Sequence, residues 1–199
     1  MGKGIGIFCI LLGILCLMAS ACFVLYNQNE ANDGAVYSEA LLQDVQSEMA
    51  AQAPSEPAAP MAEAAPQEML TVPAGKYESI GILSIPALEL ELPVLTDWSY
   101  EKLKKAPCHY YGSCYEPDFV IAAHNFPSHF GRLNQLQAGD LVLFTDVTGQ
   151  VHSYEVVLLE TLSPTATEAM ITSGFDLSLY TCTPGGGSRV TVRCKTIHK

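Results

Sequence analysis

The sequence predicts an all-β domain of short strands, closed or nearly closed into a barrel, behind one transmembrane helix and a flexible acidic stalk. Three observations lead there. Residues 76–199 hold many short apolar runs separated by turn residues, with only brief helical signals. Ile5–Tyr26 is a run of 22 residues without a charge. Residues 27–75 carry eight acids and no Lys or Arg. The 199-residue chain is 49% hydrophobic yet has a formal net charge of −11, so apolarity and charge must sit in different segments. The apolar content excludes a chain disordered throughout. A single long apolar run argues against a polytopic membrane protein. The lack of clustered Lys and Arg argues against nucleic acid as the main partner.

The elements follow in order. As a helix, Ile5–Tyr26 would extend about 33 Å, enough to cross a hydrocarbon core. Lys3 is the only basic side chain near either end, and Glu30 and Asp33 follow, so residues 1–26 read as a cytoplasmic tip and membrane anchor with the remainder outside. The competing reading is a cleaved signal peptide, since Ala19, Ser20 and Ala21 have the small-residue look of a cleavage site and Cys22 hints at a lipoprotein. Within 27–75, Leu41, Leu42, Val45 and Met49 fall at helical spacing, which predicts a short amphipathic helix over 38–50. Five prolines then mark 51–75 as a semi-extended spacer.

Residues 76–199 have the size of one domain and a charge of only −4. Strands are expected at Ile80–Pro86 and at Leu88–Leu92, where apolar and acidic residues alternate and Pro93 should end the run. Further strands are expected at Phe119–Ala123, Leu141–Thr145, Tyr154–Glu160, Leu177–Cys182 and Val190–Cys194. Ser99 is placed to cap a helix over 100–105, and 167–172 suits one or two helical turns.

Four cysteines lie in this domain. Cys108 and Cys114 are close enough in sequence to pair, and an exported domain permits it. No Cys or His spacing resembles a zinc site, so no metal is expected. Cys182 differs in setting: it ends an apolar strand, a Gly-rich connection follows, and Arg189 opens the next strand. A hairpin-like return would bring that guanidinium near the thiol, where a cation favours thiolate or holds an oxyanion. Taken alone, Cys182 is equally an ordinary buried cysteine beside a surface turn. His124 ends the apolar strand 119–123, and an imidazole at a neighbouring strand end is a natural proton carrier. The remaining histidines, His109, His129, His152 and His198, read as surface or loop residues.

Together these segments resemble the sortases, membrane-anchored cysteine transpeptidases of Gram-positive cell surfaces. The resemblance covers 79–196. It rests on Ile80–Pro86 with Leu90–Val94, Ala106–Ser113, Val120–Asn125, Leu133–Asp140, and Leu179–Cys182 with Arg189, in that order. It implies a closed eight-stranded β-barrel with short helices over 76–199. It also implies a catalytic trio of His124, Cys182 and Arg189 and no cofactor. The implied reaction cleaves an LPxTG-like sorting signal through a Cys182 thioacyl intermediate. The implied partners are surface proteins bearing that signal and an amine from a cell-wall precursor or a pilin.

Some residues depart from the pattern. Ser178 stands where the family usually has threonine, and the short 182–189 connection leaves Arg193 as a competing arginine on the same strand face. No acidic cluster resembles the calcium site of some members. The chain ends at Lys199 without an apolar tail, which favours a single-anchor attachment enzyme over a pilin polymerase. A thiol peptidase using water, and a non-catalytic binding module on a stalk, are the other readings.

Overall fold

The computed structural model describes residues 2–52 and 68–197. The chain runs as α1 (Gly2–Gln52), β1 (Val72–Ala74), β2 (Tyr77–Ile85), β3 (Leu90–Leu95), α2 (Tyr100–Leu103), β4 (Cys108–Tyr111), β5 (Phe119–Ala122), β6 (Leu141–Asp146), β7 (Val151–Leu162), α3 (Thr167–Ile171), β8 (Leu177–Cys182) and β9 (Arg189–Thr196). Strands β2-β3-β4-β5-β8-β9-β7-β6 are neighbours in that order, and β6 pairs back onto β2. That last pairing closes an eight-stranded barrel and removes its free edges. β1 adds a short ninth strand along the start of β2. The sheet is mixed, because β3–β4 and β5–β8 run parallel and the other pairs antiparallel.

Alternation sorts side chains between the two faces of the wall. Phe119, Ile121, Phe144, Leu177, Leu179, Val192 and Cys194 are buried together in the central core. Their strand neighbours Ala122, Tyr180, Cys182 and Arg189 line an outer groove instead. The expected strands are present, with two corrections to their bounds. β3 continues through Pro93, which pairs with Ile82 of β2. The other edge of β3 meets β4 only at Leu95 and Cys108, which leaves room for a residue without an N–H. The alternating run also starts late: Pro86–Leu88 is a 3-10 turn, closed by Glu89 in a left-handed conformation. Ser99 caps α2 as expected, its Oγ accepting from Lys102 N at 3.2 Å.

α1 is one uninterrupted helix, and Pro54 lies just beyond its last residue. From Ile5 to Tyr26 its large apolar side chains are all exposed. Farther along, Leu41 and Val45 are buried in a second apolar cluster with Val72, Ala74, Ile82, Leu95 and Cys108. The amphipathic helix expected over 38–50 is therefore the docked end of α1. Closer to the apolar run, Lys104 pairs with Glu30, and the Lys105 ammonium sits 4.5 Å above the Tyr37 ring. A Cβ at Gly34 would come within 2.8 Å of the Lys104 carbonyl oxygen, so only glycine allows this approach. The span expected as a stalk thus includes a docked helix and the first strand. Residues 53–67, where most of the Pro-rich spacer falls, lie outside the described residues.

Candidate functional site

Two ladders set the positions of the segments that carry the expected trio. β5 and β8 run parallel, with Ala122 level with Tyr180. The ladder continues past β5: Ala123 N donates to Tyr180 O at 3.2 Å, and Thr181 Oγ1 donates to Ala123 O at 2.9 Å. His124 lies two residues beyond Ala122, as Cys182 lies two beyond Tyr180. On the other side of β8, antiparallel pairing with β9 puts Arg189 directly opposite Cys182. The connection between them closes on itself. Thr183 N donates to Ser188 O at 3.0 Å and Ser188 N to Thr183 Oγ1 at 3.1 Å. Gly185 and Gly186 adopt φ of 80° and 76°, a region open to glycine without strain. The arginine register left open by the sequence is decided by these pairings.

The two arginines have different surroundings. Arg189 Nη1 donates to the carbonyls of Gly186 and Ser188, both at 3.1 Å, and the residue lines the groove beside Cys182. Arg193 is 1% exposed. Its guanidinium donates to Glu160 Oε1 (2.7 Å), Ser178 Oγ (2.7 Å), and the carbonyls of Ala169 (2.6 Å) and Met170 (3.3 Å). Arg193 therefore fastens α3 to the barrel wall and has no spare role in the groove. Ser178 serves as one of its acceptors.

Cys182 is half-buried, whereas the three other cysteines of the barrel are buried. Burial pushes the thiols of Cys108, Cys114 and Cys194 up to about 12, so they stay protonated at neutral pH. All the cysteines are free, and the pairing considered for Cys108 with Cys114 is not made. Cys108 lies under α1, while Cys114 contributes to the barrel core.

His124 is half-buried and stacks on Phe126, with centroids 4.2 Å apart and planes 13° from parallel. Its Nδ1 lies 2.8 Å from Asn125 Oδ1. Asn125 N–H also donates to the same Nδ1 at 2.9 Å. Burial holds the imidazole below its ordinary range, opposed by Asn125 and by Glu30 of α1. No hydrogen bond joins His124 to Cys182 among the described residues.

The groove beside Cys182 has an aromatic wall that sequence reading did not identify. Trp98 packs on Tyr110 at 5.7 Å, and Tyr110 meets Tyr180 edge-on at 5.2 Å. Ala166, Thr167 and Met170, from α3 and its approach, face this wall. The only available signal was aromatic density around 98–111, which periodicity cannot distinguish from core. The reading of other histidines as surface residues needs correction. His129 is fully buried, and neither ring nitrogen has a hydrogen-bond partner. The same burial drives its pKa down to about 4. His109 bridges the carbonyls of Thr96 (3.2 Å) and Gly112 (2.8 Å). His152 contacts Asp146 at 3.3 Å. His198 lies outside the described residues. Where the sequence suggested no metal site, Cys114, Asp146 and His152 converge at the other end of the barrel.

Fold and site together define a class: a closed mixed β-barrel presenting a half-buried strand-end cysteine opposite an arginine. A family model described as a sortase domain matches residues 83–197. The chain belongs to the sortase family. A search of curated proteins gives no match. Among solved structures, sortase A from Corynebacterium diphtheriae is 23% identical with a TM-score of 0.56, a likeness of fold. That match covers 62% of this chain and 63% of the other. Sortase C1 of pilus island 1 of group B Streptococcus is 25% identical, with a TM-score of 0.55 and coverage of 61% and 65%. Sortase C1 from Streptococcus suis is 29% identical, with a TM-score of 0.53 and coverage of 61% and 74%. The chain thus spans less than two thirds of the first two relatives.

Proposed function

We propose that this protein is a membrane-anchored cysteine transpeptidase, with residues 1–26 as anchor and the barrel as catalytic domain outside the cell. The observation that carries the reading is the β8–β9 register that sets Cys182 opposite Arg189, with His124 two residues beyond the Ala122–Tyr180 pair of the parallel ladder. In the first half-reaction His124 takes the Cys182 proton, and the thiolate attacks a backbone carbonyl of an LPxTG-like sorting signal. The tetrahedral oxyanion draws on the Arg189 guanidinium. Collapse breaks the peptide bond, the His124 imidazolium protonates the leaving amine, and a Cys182 thioester remains. An incoming amine from a cell-wall precursor then attacks the thioester. His124 removes its proton, the new amide leaves, and the Cys182 thiolate is regenerated.

The aromatic wall of Trp98, Tyr110 and Tyr180 suits the apolar side chains of an extended peptide. Incubation with a sorting-signal peptide and trapping by mass spectrometry tests the reading. A peptide adduct on Cys182, absent in Cys182→Ala, supports it; amide formation by Cys182→Ala refutes it. Product analysis with an oligoglycine amine separates transfer from hydrolysis, since a thiol peptidase yields only the free acid. Likeness to streptococcal pilus-island sortases supports a second acceptor, a pilin lysine. Competition between oligoglycine and a lysine peptide distinguishes the two.

A further inference from the structure

Cys114, Asp146 and His152 belong to three separate segments. Cys114 lies in the turn after β4, Asp146 ends β6, and His152 is the second residue of β7. Folding brings Sγ, a carboxylate oxygen and an imidazole nitrogen within 4.8 Å of one another. Cys114 and Asp146 are buried, and the His152 side chain is 11% exposed.

The two oxygens of Asp146 are used differently. Oδ1 accepts from Thr148 N (2.9 Å), Thr148 Oγ1 (2.6 Å) and Gln150 N (3.0 Å), which holds the carboxylate in one orientation. Oδ2 accepts from Tyr115 Oη at 2.9 Å and meets His152 Nε2 only at 3.3 Å. The His152 ring is fixed in turn by Tyr115, edge-on at 5.4 Å, and by Phe144 at 6.1 Å. One anchored oxygen and one oxygen aimed at an imidazole and a thiol is how a ligating carboxylate is held by its outer partners. A cleft bounded by Cys114, His152, Tyr154 and Asp176 opens onto the cluster, so solvent can reach a further coordination position.

We propose that Cys114, Asp146 and His152 form a binding site for a zinc-class divalent cation. A thiolate, an imidazole and a carboxylate suit a borderline cation better than Ca²⁺ or Mg²⁺, which take oxygen ligands. On binding, Cys114 releases its thiol proton to solvent, neutral His152 offers Nε2, and Asp146 offers Oδ2 while Tyr115 keeps its hydrogen bond. The cation takes the place of the long His152–Asp146 contact and ties the β4–β5 turn to the β6–β7 hairpin. Asp176 borders the cleft just before β8, whereas Cys182 ends that strand. The length of β8 separates the two ends by about 17 Å. The role of the cation is therefore structural, and the site stands independently of the transpeptidase reading.

The test uses the detergent-solubilised full chain, stripped of metal by a chelator and titrated with Co²⁺ and Zn²⁺ salts. One Co²⁺ per chain should bind, with a thiolate-to-cobalt charge-transfer absorption that Zn²⁺ abolishes stoichiometrically. The absorption should survive Cys182→Ala and vanish in Cys114→Ser. Zn²⁺ affinity should fall more than about 100-fold in His152→Ala and roughly tenfold in Tyr115→Phe, the scale of an outer partner. Zn²⁺ should raise the unfolding temperature of the unmutated chain and not that of Cys114→Ser. No charge-transfer absorption in the unmutated chain overturns the proposal, whatever the variants do. So does an absorption that persists in Cys114→Ser or is lost in Cys182→Ala.

Discussion

Lowering the pH from 7 to 5 should destabilise the barrel through one side chain, His129. The ring is fully buried, both nitrogens lack hydrogen-bond partners, and the Phe126 ring lies 5.6 Å away. Burial lowers its pKa to about 4, and a proton on His124 would act in the same direction. In the unfolded chain the imidazole returns to its ordinary value of about 6.5. The unfolded state therefore binds the proton more readily between these values. Stability is fully present above about pH 6.5 and is lost as pH falls toward and through about 4. Linkage between these two values gives an upper limit of about 3 kcal/mol, of which about 2 kcal/mol is already lost at pH 5. Against a typical domain stability of about 5–15 kcal/mol, that loss is measurable. Urea unfolding of the detergent-solubilised chain at the two pH values measures it. His129→Phe keeps an aromatic ring without a titrating group and should remove about 2 kcal/mol of the difference between pH 7 and pH 5. Equal pH dependence in the two proteins would refute the reasoning. So would an NMR titration placing His129 near 6.5.

Other perturbations separate structural residues from the groove. Arg193→Ala should destabilise by about 3–5 kcal/mol, because it strips a buried cation from Glu160 and Ser178; chemical denaturation measures this. Arg189→Ala should leave stability within about 1 kcal/mol yet reduce acyl transfer by about 10²–10³, the scale of a lost oxyanion donor. The reverse ranking of the two arginines in a peptide-transfer assay would contradict the assignment. Leu41→Ala empties a 2%-exposed position between α1 and the barrel and should cost about 2–5 kcal/mol of docking stability. Gly34→Val should loosen the same helix, since its Cβ would meet the Lys104 carbonyl oxygen at 2.8 Å and the Phe126 ring at 3.0 Å. Faster amide exchange across 104–106 and 126–131, with the far side of the barrel unchanged, is the expected signature.

Local patterns determined much of this protein. The charge-free run Ile5–Tyr26, the apolar strands from Ile80 to Cys194, and the Ser99 cap each follow from the order of side chains along a few residues. His124 and Cys182 stand out as candidates because each closes a buried strand, and Arg189 because a short Gly-rich return opens on it. Only the folded chain decided what depends on distant segments meeting. Whether Arg189 or Arg193 faces the thiol depends on β8–β9 register, which also places Arg193 under α3. That α1 docks on the barrel follows from Leu41 and Val45 finding Val72 and Leu95, a match no periodicity contains. The burial of His129 and the meeting of Cys114 with Asp146 and His152 are of the same kind. Periodicity records which face of one element is apolar. Which elements cover that face is set by barrel closure, and closure brings together residues with no shared spacing.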